Sequence, residues 1–229
     1  MTGLPEHIEL VTRSVGQAQA FYDRLSRFYD LLSGASERRY VGIGLGMLAV
    51  RPGEHLLEIG SGTGHALVAL ARQAGPDGRV YGLDLSLGMS AVARARLLRA
   101  GLERSVSLVC GDALHLPICS AALDGMLMSF TLELFDTPDI PGVLAECRRV
   151  LRPAGRLAVV ALSKPAHPSF SVAVYEWFHR RFPQLVDCRP IPVRHFLAQA
   201  GFIVLQAQQF RMLGLLPLEI ALVANGENH

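Results

Sequence analysis

The chain has 229 residues, of which 50% are hydrophobic, and this is enough for one α/β domain with a substantial core. Its 22 basic and 20 acidic residues leave a net charge of +2, far from the basic excess expected of a dedicated nucleic-acid-binding protein. The four cysteines include no C-x-x-C pair, which argues against a zinc knuckle or a dense disulfide framework.

Residues 1–50 are predicted to contain a helix with one apolar face. Aromatic and basic residues alternate through positions 21–30, and the apolar side chains that share one helical face are Leu25, Phe28, Tyr29 and Leu32. Tyrosine commonly packs its ring while its hydroxyl stays at the surface. Tyr22 and Tyr29 are therefore as consistent with ordinary packing as with lining a pocket.

A short apolar run followed by three alternating glycines is the most informative feature of the chain. Leu56, Leu57 and Ile59 predict a buried parallel strand, and a helical pattern begins at Thr63. The turn between them contains Gly60, Gly62 and Gly64. Because glycine accepts positive φ and lets a ligand approach the backbone closely, this turn is suited to surround a bound molecule.

The acidic residue before this turn indicates a ligand that carries a cation. Dinucleotide enzymes hold a pyrophosphate with the spacing G-x-G-x-x-G, whereas the spacing here is G-x-G-x-G. The Glu58 carboxylate would repel a pyrophosphate but can accept hydrogen bonds from an ammonium group or its bound water. A nicotinamide cofactor is therefore disfavoured.

The second apolar run, residues 80–83, ends in an acidic residue suited to bind a ribose. In α/β nucleotide folds a carboxylate at this point accepts hydrogen bonds from both ribose hydroxyls, which makes Asp84 the candidate. Asp84 is equally suited to cap the helix that starts near Leu87, although Ser86 suits that position as well.

The rest of the chain continues the alternation of strands and helices. Further strands are predicted at 106–110, 123–130 and 156–162, and a closing pair at 202–210 and 216–224. Gly155 is expected to provide the flexible corner that follows Ala154, and a helix that starts at Pro192 is ended by Gly201. A solvated helix face is expected for Arg94, Arg96 and Arg99.

The stretch from Glu58 to Gly64 resembles the first motif of class I S-adenosylmethionine-dependent methyltransferases. The helix, turn and strand around residues 149–155 and the Gly111-Asp112 pair are similar to further motifs of that family. Together with the Tyr-Asp pairs near the N-terminus, they resemble the ubiquinone/menaquinone biosynthesis C-methyltransferases and the related phospholipid N-methyltransferases. The resemblance implies a Rossmann-like α/β fold: a seven-stranded, mostly parallel sheet with helices on both faces, an antiparallel last strand and an N-terminal helical cover.

The resemblance also implies the cofactor S-adenosyl-L-methionine, with S-adenosyl-L-homocysteine as the product. Asp84 would bind the ribose and Asp112 the adenine amino group, with Cys110 and Ala113 beside the ring. The whole predicted cofactor site comprises Glu58, Gly60, Ser61, Gly62, Thr63, Gly64, Asp84, Leu85, Met89, Gly111, Asp112, Ala113 and Ser129. No metal is expected.

The acceptor implied by the resemblance is small or lipidic and hydrophobic: a quinol precursor methylated on carbon, or a phospholipid amine methylated on nitrogen. Such a transfer needs alignment and, where the acceptor carries a proton, a base. The candidates are His167, His195, Tyr22 and Tyr29. Two alternatives remain open, namely a nicotinamide-dependent oxidoreductase and a non-catalytic cofactor-binding protein that acts through a partner.

One domain is expected over residues 1–229. It is divided into a cover (1–50), a cofactor-binding core (51–163), a substrate-side insertion (164–192) and a closing helix with a strand pair (193–229). The sequence contains no apolar run of the roughly 18 residues that span a membrane and no leader pattern, so a cytoplasmic protein is expected. Peripheral contact with the inner membrane surface is compatible with the mean hydropathy of +0.30. A nucleic-acid partner is not expected, and the oligomeric state is not predicted.

Overall fold

The computed structural model describes residues 34–164 and 189–226, together with the single positions Gly16 and Asp23. Within these residues, α-helices occupy Gly34–Leu48 (α1), His65–Ala74 (α2), Leu87–Arg99 (α3), Ile140–Val150 (α4) and Val193–Gln199 (α5). The strands are His55–Ile59 (β1), Arg79–Asp84 (β2), Val106–Cys110 (β3), Leu123–Ser129 (β4), Leu151–Leu162 (β5), Phe202–Met212 (β6) and Leu216–Asn225 (β7). A short 3₁₀ helix, Leu132–Leu134, follows β4.

The strands form one sheet in the order β3-β2-β1-β4-β5-β7-β6. Strands β1 to β5 pair in parallel, whereas β7 is antiparallel to both of its neighbours, β5 and β6. The direction of β6 is therefore the same as that of β5. This topology confirms the predicted fold, including the antiparallel last strand.

The core lies on both faces of the sheet because neighbouring strand residues point to opposite sides. On one face, Leu56 and Leu127 pack with residues of α1 and α2. On the other face, Leu57 and Met126 pack with residues of α4 and α5. The carboxyl ends of the parallel strands all lie at one edge of this double layer, where ligands bind in open α/β sheets.

Two local expectations about glycines are wrong. Helix α2 begins at His65 rather than Thr63, because Gly64 has a left-handed φ of 79° and serves as its N-cap. The left-handed residue at this corner, which lies between the paired residues Leu151 and Arg156 of β5, is Ala154, with φ 60°, and not Gly155. A Cβ on Gly155 would lie 2.9 Å from the carbonyl oxygen of Arg152, so this glycine is required for a close backbone approach.

The expected solvated arginine face is also wrong for one member. Arg96 donates from Nη1 to the carbonyl oxygen of Thr63 at 2.5 Å and to its Oγ1 at 3.0 Å, whereas Arg94 and Arg99 are exposed. Arg96 therefore ties α3 to the glycine turn, which contains Thr63.

Among the described residues, no helix is both long enough and apolar enough to cross a membrane. The predicted cover is described only from α1 onward, apart from Gly16 and Asp23. Tyr22 and Tyr29 lie outside the described residues, as does most of the predicted insertion.

Candidate cofactor and acceptor site

The glycine turn after β1 is hydrogen-bonded to the end of β2. The backbone N–H groups of Gly60 and Ser61 both donate to the carbonyl oxygen of Leu83, at 2.8 and 3.0 Å. The N–H of Gly64 donates to the carbonyl oxygen of Ser61 at 2.9 Å. The turn is therefore closed on itself and fixed to the neighbouring strand before any ligand binds.

The three glycines of this turn are required for different reasons. All have positive φ: 69° at Gly60, 50° at Gly62 and 79° at Gly64. A Cβ on Gly60 would overlap the side chain of Thr131, and one on Gly64 would come within 2.9 Å of the Ala93 Cβ. Among the residues that the structure describes, no atom lies within 4 Å of the corresponding point on Gly62, so that face of the turn is open to a ligand.

Asp84 at the end of β2 braces the turn. Its Oδ2 accepts a hydrogen bond from the N–H of Gly62 at 2.7 Å, and its Oδ1 accepts one from the N–H of Ser86 at 2.8 Å. The helix cap is Ser86, whose Oγ accepts from the N–H of Met89. Burial raises the pKa of the Asp84 carboxyl, and its hydrogen bonds with Ser86 and Gly62 oppose that rise.

Glu58 is 2% exposed, on the strand that leads into the turn. Burial, followed by the nearby Asp84 carboxylate, raises its pKa well above the ordinary value, while a hydrogen bond from the Leu67 backbone opposes the shift. Its Oε2 and the Oγ of Ser61 are buried without a hydrogen-bond partner among the described residues. Two polar atoms next to the open side of the turn are thus available to a ligand.

A cavity of about 280 Å³ opens between this turn, α1 and the end of β4. Several predicted cofactor residues line it, namely Glu58, Gly60, Ser61, Gly62, Thr63 and Ser129. Two charged residues of α1 that the sequence analysis did not single out, Glu37 and Arg38, line it as well. Burial raises the pKa of the Glu37 carboxyl to about 7.

The other predicted cofactor residues do not line this cavity. Gly64 ends the glycine turn and Met89 lies in the first turn of α3, whereas the rest lie at the end of β2 or directly after β2 and β3: Asp84, Leu85, Gly111, Asp112 and Ala113. The Oδ1 of Asp112 accepts from the N–H of Leu114 at 3.0 Å, which shapes the turn after β3. Ala113 and Met89 are buried, whereas Cys110 is exposed. The residues predicted to bind the adenosine therefore lie beyond the cavity, along the edge of the sheet where β2 and β3 end.

A contact from the N-terminal segment reaches this edge at the first turn of α3. The Oδ1 of Asp23 accepts hydrogen bonds from the Oγ of Ser86 at 2.5 Å and from the N–H of Gly88 at 2.8 Å. These hydrogen bonds lower the pKa of Asp23. A carboxylate is favourable at this helix end because it meets unpaired N–H groups and the positive end of the helix dipole.

A second buried carboxyl, Glu133, lies in the 3₁₀ helix after β4 and was not predicted as a site residue. Its Oε1 accepts from the N–H of Leu162 at the end of β5, at 3.1 Å, and its Oε2 has no partner among the described residues. Burial is the largest cause that raises its pKa to about 8; Glu37 raises it further and Arg189 lowers it. The signal that could have found it is an acidic residue between two leucines directly after a buried strand.

Of the four predicted base candidates, His195 is the one that the structure describes. It lies on α5, where its ring meets Phe196 edge-on at 5.9 Å between centroids. Its Nε2 is buried without a partner among the described residues, and His195 does not line the cavity. His167, Tyr22 and Tyr29 lie outside the described residues.

Comparison with known proteins identifies the family. The family model described as the ubiE/COQ5 methyltransferase family matches residues 14–188. The chain belongs to this family. The predicted class I S-adenosylmethionine-dependent methyltransferase, and with it the cofactor, is thereby confirmed, and the nicotinamide alternative is not favoured.

Two curated relatives show how far the likeness extends. The demethylmenaquinone methyltransferase of Lactobacillus johnsonii is 35% identical over 136 residues, which are 59% of this chain and 54% of that protein. The ubiquinone/menaquinone biosynthesis C-methyltransferase UbiE of Ralstonia pickettii is 38% identical over 154 residues, or 65% and 62% of the two chains. The chain thus spans little more than half the length of these two relatives.

A solved structure supports the fold. The 1,6-didemethyltoxoflavin-N1-methyltransferase of Burkholderia thailandensis, with bound S-adenosylhomocysteine, matches with a TM-score of 0.68 at 18% identity. The match covers 96% of this chain and 94% of that one. At this identity the likeness shows a shared fold alone.

Proposed function

We propose that this protein transfers the methyl group of S-adenosylmethionine to a ring carbon of a quinol precursor of the ubiquinone or menaquinone type. The observation that carries the proposal is the match to the ubiE/COQ5 methyltransferase family across residues 14–188, because the curated relatives are named for ubiquinone/menaquinone biosynthesis and for demethylmenaquinone. Such an acceptor is lipidic, so the proposal includes contact with a membrane surface.

The chemistry of the cavity fits the cofactor. The buried Oε2 of Glu58 suits the ammonium group of its amino acid end, and the Oγ of Ser61 offers a further polar contact. The open side of Gly62 leaves room for the ligand at the backbone. When bound, the cofactor supplies a methyl group that is already strongly electrophilic.

The adenosine end is assigned to the neighbouring strand tips. Each oxygen of Asp84 already holds a backbone N–H, and a carboxylate oxygen can accept a second hydrogen bond, here from a ribose hydroxyl. Asp112 is proposed to accept from the adenine amino group with the oxygen that does not hold Leu114. The rigid bracing of Asp84 would orient the ribose without reorganisation of the protein.

Methylation of a quinol carbon requires the loss of a phenolic or ring proton. Glu37 lines the same cavity as Glu58, and burial raises its pKa to about 7. A base with a pKa near the working pH is present in the proton-accepting form and still binds the proton well. Glu37 is therefore the described residue that best fits the role of proton acceptor, ahead of His195.

The test is a methyl-transfer assay with labelled S-adenosylmethionine and two acceptors, a short-chain demethylmenaquinol and a phosphatidylethanolamine dispersion. Label on the quinol, at carbon, is the expected result. Label on the phospholipid would replace the proposal by amine methylation. If the unsubstituted protein bound the cofactor but labelled neither acceptor, the assigned activity would be contradicted.

A further inference from the structure

The turn that joins β6 to β7 exposes two leucines to solvent. Leu213 is 75% exposed and Leu215 is 62% exposed, with Gly214 between them. The N–H of Leu215 donates to the carbonyl oxygen of Met212 at 3.1 Å, which closes the turn. We call residues 213–215 the apolar tip.

Neither backbone preference nor core packing explains a leucine at the first position of this tip. Leu213 and Gly214 both have positive φ, 52° and 72°. A turn with positive φ at both central residues favours asparagine, aspartate or glycine, and a branched apolar side chain is strained there. Leu213 is thus both strained and exposed, a combination that is typical of a functional surface.

The apolar tip lies at the edge of the sheet where the cofactor cavity opens. Because β6 is parallel to β5, both strands end at the carboxyl edge, and the β6–β7 pairing continues to Met212 and Leu216, two residues beyond the last β5–β7 pair at Leu218. Between the tip and β1 lie three to four strand spacings, or roughly 15–20 Å.

Helix α1 connects the apolar tip to the cavity. The hydroxyl of Tyr40 donates to the carbonyl oxygen of Arg211 at 3.3 Å, and its ring packs on Phe210 with 5.5 Å between centroids. The same helix contributes Glu37 and Val41 to the cavity. The base of the tip and the wall of the cavity are therefore parts of one packed unit.

The size and charge of this surface fit a lipid bilayer better than a second copy of the chain. A stable protein interface buries about 1,200–2,000 Å² in total, far more than two leucine side chains at a narrow turn provide. Arg211, just behind the tip, is exposed. An apolar apex followed by a cation matches an acyl boundary followed by anionic headgroups.

We propose that Leu213 and Leu215 insert into an anionic phospholipid surface and so hold the carboxyl edge of the sheet against the membrane. This inference rests on the proposed function for its purpose, since a quinol acceptor would be delivered from the bilayer. The tip would then seat the protein with the cavity facing the source of the acceptor.

The test is flotation of the full chain with phosphatidylglycerol/phosphatidylethanolamine vesicles. The double substitution L213S/L215S should lower the partition coefficient by at least about tenfold. The matched control is I203S/L205S, which removes two similarly exposed apolar side chains, 57% and 55%, from the opposite end of the same strand and should leave partition unchanged. R211Q should weaken binding about fivefold on anionic vesicles and leave binding to phosphatidylcholine vesicles unaltered.

Equal partition of L213S/L215S and the unsubstituted chain would overturn the proposal. So would a dimer in solution that the same double substitution converts to monomer, because a second copy would then cover the tip. L213S/L215S should still methylate a water-soluble short-chain quinol at the unsubstituted rate. If the unsubstituted chain bound vesicles through the tip yet methylated no quinol, the proposed function would fail while this inference stood.

Discussion

Glu58 and Glu133 are both buried carboxyls, yet of the two only Glu58 lines the cavity beside the glycine turn. This difference makes the two residues a matched pair for the same substitution. Replacement of glutamate by glutamine keeps the shape of the side chain and removes its charge. If Glu58→Gln lowers the affinity for S-adenosylmethionine and Glu133→Gln does not, the loss arises from the residue that lines the cavity.

At a pH where the Glu58 carboxyl is ionised, Glu58→Gln should weaken S-adenosylmethionine binding by about 1–3 kcal/mol, roughly 5- to 150-fold in Kd, because the ammonium group loses a charged acceptor. Burial raises the pKa of Glu58, so in the unsubstituted protein affinity should increase as pH rises and the carboxyl ionises. Titration calorimetry at several pH values at which the ligand's ammonium group stays protonated measures both effects. Glu133→Gln should bind like the unsubstituted protein, and an unchanged affinity in Glu58→Gln would refute the assignment of the ammonium site.

Glu133 should make stability depend on pH. Its pKa is about 8 in the folded protein and near 4.5 when unfolded, so the folded state retains a proton that the unfolded state loses. The free energy of unfolding therefore falls as pH rises from about 4.5 to about 8, by roughly 2–5 kcal/mol. Glu133→Gln should abolish this fall in the free energy of unfolding, and its amide oxygen can still accept a hydrogen bond from the N–H of Leu162.

Chemical denaturation at pH 5 and pH 8.5 measures this effect. Glu133→Gln should gain stability over the unsubstituted chain at the higher pH more than at the lower one. Glu146→Gln is the control that should not depend on pH in this range, since the ion pair with Arg149 lowers the pKa of Glu146 and its contribution is present at both pH values and lost only in stronger acid. A Glu133→Gln gain that is equal at both pH values would contradict a buried titrating carboxyl.

At the scale of elements, two glycines with positive φ allow the effect of backbone strain to be distinguished from the effect of contact with the ligand. Gly62 and Gly101 both have positive φ, 50° and 68°, and a Cβ added to either would have no atom of the described part of the chain within 4 Å. Gly62 lines the cavity, whereas Gly101 follows the end of α3. Any difference between their alanine variants therefore arises from the ligand.

Gly62→Ala and Gly101→Ala should each lower the free energy of unfolding by about 1 kcal/mol, the cost of a left-handed alanine. Gly62→Ala alone should also weaken S-adenosylmethionine binding, by at least about tenfold, because the new methyl group occupies the open side of the turn. Thermal unfolding and calorimetry on the same samples separate the two effects. Equal cofactor affinity in both variants would show that the ligand does not approach Gly62.

Elements with a repeating signal were predictable from sequence. The apolar runs of β1, β2 and β3 and the stripe of α2 each reflect burial along one face, and the glycines reflect positive φ. What failed depends on contacts between distant segments. The sequence does not distinguish Arg96 from a solvated helix arginine, because its partner Thr63 lies 33 positions away. Likewise, the Leu162 N–H that Glu133 binds comes from β5, 29 positions away.

At the scale of the whole molecule, the sheet order gathers chemically distinct groups at one edge. The ends of β1, β2 and β3 present most of the predicted cofactor residues, the end of β4 presents a further one, Ser129, and the 3₁₀ helix beyond it contains Glu133. Helix α1 spans from the cavity to the β6–β7 turn. Cofactor binding at this edge should therefore stabilise the fold as a unit.

Ligand-induced stabilisation tests two things together: whether cofactor binding stabilises the whole fold, and which cofactor binds. At a free concentration 100 times Kd, S-adenosylmethionine should add about 2.7 kcal/mol to the free energy of unfolding, or roughly 5–10 °C in Tm for a chain of this size. NAD at the same concentration should leave Tm unchanged, because Glu58 opposes a pyrophosphate at the turn. At the S-adenosylmethionine concentration that shifts the unsubstituted chain, Glu58→Gln should shift less, since its Kd is higher. A shift with NAD and none with S-adenosylmethionine would reverse the cofactor assignment, because only a ligand that prefers the folded state can raise Tm.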